Sequence, residues 1–376
     1  MLSRNEWHFK RKDDMKKHYK YIHIMWHDET KFNSALVSYF YSNKNNFDQQ
    51  EHLFFTPYKS VYEKLPHYDN VVYKEFENPR SAEVINTIGD KADWIICHNI
   101  CERIELLKVR PKYIRKIIWR SWGGDRLQII PYGNGFLKNI AKKLINYEAI
   151  RRVRCFKAIG IANLVDEIDL RNKFGEHSYF HIPYFSDEID FNSLIHNDSE
   201  NINNCNILVG HSGFSEDKHI EILGQLLKYK DFGLRPYLVL SYGNADYIKK
   251  VIQNVNENWG NNAVVITDFM NYTDYVRLLS NMDIGIFPAE YSYALGNIAL
   301  LVSMNKKIFL NDNGIIAEAF RRNGTPYESV NNLSNYKYDD LLQKVNYSEH
   351  DIAEFGKMTL EKANQSWKEL FDFVDE

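Results

Sequence analysis

The 376-residue chain predicts an α/β protein of two Rossmann-like domains facing each other across a cleft. Three observations carry that prediction. Short apolar runs alternate with amphipathic segments almost throughout, an order that implies parallel sheets with helices on both faces. A polar stretch at 183–204 without periodicity separates two such series. The length suits about two domains.

In the first series, the runs at 21–26, 52–55, 70–73, 94–98, 116–120, 155–159 and 178–182 read as strands, with helical patterns at 34–41 and 81–89. In the second, strands fit 205–209, 237–240, 263–266, 284–287 and 307–310. Helices fit 217–229, 245–256, 273–280, 296–305 and 315–321, and 348–374 reads as one or two more. The expected divisions are a first domain at 1–185, whose residues 1–20 are an extension, and a linker at 186–204. A second domain follows at 205–345, then C-terminal helices at 346–376 that are expected to pack back on the first domain.

Composition narrows the class. Apolar residues make up 44%, enough for packed cores and too many for a disordered chain. No run approaches the roughly 18 apolar residues of a membrane span. Residues 1–20 are basic and polar, with no apolar stretch of the kind a secretory signal needs. Four Cys make no disulfide framework, so a reducing cytoplasm is expected. The net charge of −3 hides an asymmetry: residues 1–160 carry 29 Lys and Arg against 18 Asp and Glu, and the remainder carries 18 against 32. A basic half suggests an anionic partner (nucleic acid, lipid head groups or a phosphorylated substrate), or helix faces solvated by charge.

Two loops of the second half stand where ligands of open parallel sheets bind, at the carboxyl ends of strands. Gly210-His211-Ser212-Gly213 follows the run at 205–209 and precedes a helix. Glycine permits close backbone approach, Ser212 offers a hydroxyl and a helix start favours an anion. The alternative is a plain tight turn, since neither a dinucleotide fingerprint nor a Walker motif is present. The second loop runs from Pro288 through Glu290, Tyr291, Ser292, Tyr293 and Leu295 to Gly296-Asn297. Its helix start would seat a diphosphate on free N–H groups. Glu290 would accept from a ribose hydroxyl or merely be solvated. Tyr291 and Tyr293 would stack on a base or sugar or simply pack. Tyr242, just past the strand at 237–240, joins this set.

In the first half, His27 and Asp28 end one strand, and Trp122, Gly123, Asp125 and Arg126 follow another. Asp28 and Asp125 are candidate catalytic bases, with a helix N-cap or turn as the alternative for each. His27, His98, Trp122, Gly123 and Arg126 are candidate contacts to the second substrate, although His98 also suits a satisfied structural histidine. Cys97-His98 and Cys101 lack the further ligands of a zinc site, and no Asp-x-Asp sits at a strand end. No metal and no cofactor are expected, so a leaving diphosphate would be stabilised by helix starts and basic side chains. Neither Gly-x-Ser-x-Gly nor His-Glu-x-x-His occurs, which leaves hydrolase readings without support. Residues 136–154 mix apolar side chains with Lys138, Lys142, Lys143, Arg151, Arg152 and Arg154. They would lie on an anionic membrane surface or form an ordinary surface helix.

Taken together, these residues carry a resemblance. Residues 210–223, including Ser212, His219 and Glu221, resemble the opening of the C-terminal domain in glycosyltransferase family 56. So do residues 279–287 and Gly296 with its helix. His23 to Asp28 and Trp122 to Asp125 are similar to that family's N-terminal signatures. The resemblance implies a GT-B architecture and a metal-independent transferase on the cytoplasmic face of the inner membrane. Its donor would be a nucleotide sugar, such as thymidine-diphosphate-linked 4-acetamido-4,6-dideoxy-galactose. Its acceptor would be a polyprenyl-diphosphate-linked glycan of common antigen, O-antigen or capsule synthesis. Ser212, His219, Glu221 and Gly296 would then face the donor, and Asp28 and Asp125 the reaction centre. Competing readings are a two-Rossmann nucleotide-sugar epimerase, which turns over without acceptor, and a nucleic-acid binder using the basic half. The acidic second half argues against the latter, and no nucleic-acid partner is expected.

Overall fold

The apolar runs form parallel strands whose side chains are buried on both faces, the environment that β-branched and aromatic runs suit. The computed structural model describes residues 7–8, 17–26, 30–76, 79–100, 103–121, 135–182, 205–356 and 359–376. The chain divides into two units, residues 1–187 with 359–376, and residues 188–358.

The first unit holds an eight-stranded sheet. Its strands are β1 (Trp7–His8), β2 (Tyr19–Met25), β3 (His52–Thr56), β4 (Val71–Lys74), β5 (Ala92–His98), β6 (Ile117–Arg120), β7 (Ala158–Ile161) and β8 (Tyr179–His181). The order is β1-β4-β3-β2-β5-β6-β7-β8, parallel except where β1 pairs antiparallel with β4. The longer helices are α1 (Thr30–Ser42), α2 (Ser81–Ile88), α3 (Phe136–Val153) and α4 (Leu164–Phe174). Ile22, Ile24, Ile95, Ile117, Trp119 and Ile159 from the sheet share one buried cluster with Val84, Ile85 and Ile88 of α2.

The second unit holds a six-stranded sheet of β9 (Cys205–Val209), β10 (Leu234–Val239), β11 (Val264–Ile266), β12 (Ile284–Phe287), β13 (Lys307–Leu310) and β14 (Glu328–Ser329). The order is β11-β10-β9-β12-β13-β14 with every pair parallel. Its helices include α5 (His219–Leu226), α6 (Ala245–Asn258), α7 (Tyr272–Ser280), α8 (Leu295–Ser303), α9 (Ile315–Asn323) and α10 (Glu349–Phe355). β10 starts at Leu234, earlier than the sequence suggests, and tolerates Pro236. That residue pairs with Ile207 of β9, while β11 begins to pair only at Tyr237, so the missing N–H breaks no ladder bond on that side.

Residues 346–376 are shared between the units. α10 belongs to the second, with a capping box in which Ser348 and Asp351 satisfy each other's backbone N–H. The last helix, α11 (Leu360–Asp375), belongs to the first. It buries Ala363, Ser366, Trp367, Leu370, Phe371 and Val374, a helical stripe. Tyr39 donates to Asn364 Oδ1 at 2.5 Å, and Lys20 Nζ meets Asp375 at 2.7 Å.

Among the parallel strands of each sheet the order reverses once, between β2 and β5 and between β9 and β12. Such switch points leave a crevice at the carboxyl ends of the strands, where open α/β sheets take their ligands. The crevice of the second unit is framed by the two loops that the sequence singles out.

Candidate functional site

The turn after β9 is organised by one carboxylate. Gly210 has φ +68, and a Cβ there would lie 2.7 Å from His219 Nε2 and 2.8 Å from Asp217 Cβ. Only glycine fits that backbone and that closeness. Asp217 is buried. Its carboxylate accepts from the N–H groups of His211 (3.2 Å) and Ser212 (3.1 Å) and from Ser212 Oγ (3.0 Å), and it sits 2.9 Å from His211 Nδ1. Burial works to raise its pKa. The hydrogen bond and charge of His211, the charge of His219 and the backbone N–H outweigh that and hold the carboxyl below its ordinary range.

Gly213 is explained by packing. Its N–H donates to the Tyr242 carbonyl at 2.7 Å, and its own carbonyl accepts from Asn244 at 3.0 Å. A Cβ on Gly243 would lie 2.4 Å from the Gly213 backbone. The turns after β9 and β10 are thus zipped together. Buried His219 has its backbone N–H on the Tyr247 hydroxyl at 3.0 Å. Burial lowers its pKa to about 4 against the opposing pull of Asp217, so the ring is neutral at pH 7. Glu221 is exposed in the first turn of α5.

The loop after β12 is built differently. Its base is pinned from the β13 side: Asn311 donates to the Pro288 carbonyl at 3.0 Å, and the Ile315 N–H to the Glu290 carbonyl at 3.0 Å. Its tip is open. Glu290, Tyr291, Tyr293 and Gly296 are exposed, while Ser292, Leu295 and Asn297 are half-buried. Ala294 caps α8 in the left-handed region, φ +61, and no side chain caps the helix. The N–H groups of Leu295, Gly296 and Asn297 have no intrahelical acceptor, as at any helix start. A Cβ at Gly296 would meet no heavy atom within 4 Å. Packing therefore does not require a glycine that weakens the helix by about 1 kcal/mol relative to alanine. The Asn297 side chain hydrogen-bonds the Tyr275 hydroxyl, whose pKa burial raises.

Aromatic rings border this crevice. His211 lies 5.6 Å from the Tyr293 ring and 6.4 Å from Tyr242, and Tyr291 lies 6.0 Å from Tyr293. Phe214, 6.3 Å from Tyr242, extends the row. Phe269, almost fully exposed, follows β11 at the same sheet edge. Sequence reasoning missed both phenylalanines. The available signal was a large aromatic just beyond an apolar run, in a polar loop.

In the first unit, His27, Asp28, Trp122, Gly123, Asp125 and Arg126 lie outside the described residues. His98 is described, at the end of β5, and it is interior. Its Nε2 is 3.1 Å from His23 Nδ1, and His23 Nε2 is 3.0 Å from His52 Nδ1. This row of three imidazoles crosses β3, β2 and β5. Burial lowers the pKa of all three, to about 3 for His52, with Arg120 adding to the effect at His98. Among the described residues no three His, Cys, Asp or Glu side chains are grouped to hold a metal ion, and no helix is long and apolar enough to cross a membrane.

The geometry can be set beside known proteins. Among solved structures, a glycosyltransferase from Rickettsia africae is similar, with TM-score 0.56, 12% identity and coverage of 96% of this chain and 99% of that one. HepE of Anabaena, solved with UDP and glucose, gives 0.55, 13%, 94% and 100%. A putative UDP-N-acetylglucosamine 2-epimerase from Listeria monocytogenes gives 0.51, 12%, 94% and 97%. At such identities the likeness shows the fold, which is of GT-B type. No curated protein matches the chain. The model of the family described as 4-alpha-L-fucosyltransferase, glycosyl transferase group 56, matches residues 19–358. That match spans β2 to β14 and both crevice loops, and the chain belongs to glycosyltransferase family 56.

Proposed function

We propose that this glycosyltransferase moves a deoxy-amino sugar, such as 4-acetamido-4,6-dideoxy-galactose, from a thymidine diphosphate donor. The acceptor is a polyprenyl-diphosphate-linked oligosaccharide of surface polysaccharide synthesis, at the cytoplasmic face of the inner membrane. The observation that carries the reading is the open helix start at Leu295, Gly296 and Asn297 beside the β9 turn. As the anomeric C–O bond breaks, the departing diphosphate takes the electron pair. Three backbone N–H groups and the positive end of α8 meet that charge where it develops. The acceptor oxygen forms the new bond, and its proton passes to a carboxylate, for which Asp28 and Asp125 are the proposed bases. Tyr242, Tyr291, Tyr293 and His211 border the base and sugar, Glu290 takes a ribose hydroxyl, and Asp217 with Gly210, Ser212 and Gly213 holds the shape of the seat. His219 and Glu221 remain proposed donor-side residues. The family description as a fucosyltransferase supports a 6-deoxy sugar. Because amides rather than a divalent cation meet the charge, turnover should persist in chelator.

The test is a melting-temperature screen of TDP, UDP and GDP, with UDP included because HepE was solved with it. A ligand that binds only the folded state raises the melting temperature by mass action. A rise with TDP supports the reading, a rise with UDP alone moves the donor to a uridine carrier, and no rise with any of them ends it.

A further inference from the structure

The helix α3 turns two unlike faces outward and inward. Inward are Asn146, Ala149 and Val153, all buried. Outward are Phe136 (80% exposed), Leu137 (78%), Ile140 (42%), Leu144 (63%) and Tyr147 (66%). At about 100° per residue these five fall within an arc of roughly 100°, opposite the buried face. Isolated exposed apolar residues need no explanation, but five on one helix face form a patch.

Charge says what the patch fits. Residues 136–154 hold Lys138, Lys142, Lys143, Arg151, Arg152 and Arg154 against a single acid, Glu148. Glu148 is held by Arg151 at 2.7 Å and Arg152 at 3.1 Å. Arg152 Nη1 also donates to the carbonyls of Leu106 and Val109, and Arg154 Nε to that of Phe174, so these two anchor the helix to its unit. Lys143 stands exposed at the edge of the apolar arc, Arg151 falls within it paired to Glu148, and the first turn carries no acid to oppose an anion. An apolar band with basic neighbours, on a helix of about 27 Å, matches a bilayer surface with anionic head groups.

We infer that α3 is a membrane-docking element that lies in the plane of an anionic bilayer, with Phe136, Leu137, Ile140, Leu144 and Tyr147 inserted below the head groups. Its purpose, bringing the enzyme to a lipid-linked acceptor, rests on the function proposed above, whereas the docking itself does not.

The test uses the full chain with phosphatidylcholine vesicles, with and without phosphatidylglycerol. The wild type should sediment with the anionic vesicles and be released by salt. Leu137→Glu with Leu144→Glu, both at exposed positions, should weaken retention on the order of 100-fold. Lys143→Glu, at the edge of the inserted face, should weaken it about tenfold. Both variants should keep the wild-type melting temperature and nucleoside diphosphate affinity. Equal retention on the two vesicle types, undiminished retention of the leucine variant, or a lipid-independent dimer abolished by that variant would each overturn the inference. Vesicle binding without nucleotide binding would leave the docking standing and remove the donor reading.

Discussion

The turns after β9 and β12 leave neighbouring strands at the same sheet edge, yet they use their polar groups in opposite ways. In the first, the Asp217 carboxylate takes up the N–H groups of His211 and Ser212 and the Ser212 hydroxyl. In the second, α8 starts without a side-chain cap, and Gly296 faces open space. A glycine-rich loop is thus no anion seat merely because it is rich in glycine. What matters is where each N–H already goes. The β9 turn is a braced wall, and the open β12 loop is where the donor seat is proposed.

That contrast can be broken most sharply at its two centres. Gly296→Trp should reduce nucleoside diphosphate affinity on the order of 100-fold, because the indole occupies the space the phosphates need. Its melting temperature should stay near the wild type, since the site is open. Calorimetry with unchanged affinity would remove the seat. Asp217→Leu should do the reverse in kind. It strands two N–H groups and a hydroxyl, costing about 2–4 kcal/mol of stability in urea titration, with any loss of affinity following from the altered turn. A variant as stable as the wild type would show that the wall is not braced in this way.

Acid should separate the groups further. His219, lowered to about 4, and His52, lowered to about 3, are neutral when folded. The unfolded chain binds their protons from about pH 6.5 downward. The stability they supply is therefore complete above about pH 6.5 and is lost as pH falls towards their folded values. Each contributes up to about 1.4 kcal/mol per pH unit across that window. His23 and His98, also lowered, act with the same sign in the first unit. Asp217, lowered as well, protects only above its unfolded value near 3.9 and loses its contribution below that. Urea midpoints that stay flat from pH 7 to pH 5 would contradict the neutral buried imidazoles. The smallest expected effect is at exposed Glu290: Glu290→Gln should weaken donor binding only a few-fold, about 1 kcal/mol, if its carboxylate meets a ribose hydroxyl. An unchanged affinity would return it to solvent.

Much of this was legible in the sequence where one segment decides its own structure. The strands expected at 205–209, 284–287 and 307–310 occur as Cys205–Val209, Ile284–Phe287 and Lys307–Leu310, because each is an unbroken apolar run between polar neighbours. The helix expected at 217–229 instead begins at His219. Ser215–Asp217 form a 3-10 turn, and Lys218 adopts the left-handed region, which frees Asp217 to turn back on the loop. A local pattern cannot distinguish an Asp that starts a helix from one that braces a turn. The row of His23, His52 and His98 was equally hidden. It exists only because the register sets Met25 beside His98 and Tyr21 beside His52, a relation between strands far apart in the chain. β1, two residues long, offered no pattern to read.

Backbone hydrogen–deuterium exchange with and without a saturating nucleoside diphosphate tests the central claim most directly. Ligand should slow exchange at Leu295, Gly296 and Asn297 while leaving Ser212 and Gly213, already bonded to Asp217 and Tyr242, unchanged. Protection confined to the β9 turn, or none at the start of α8 despite measurable binding, would contradict it.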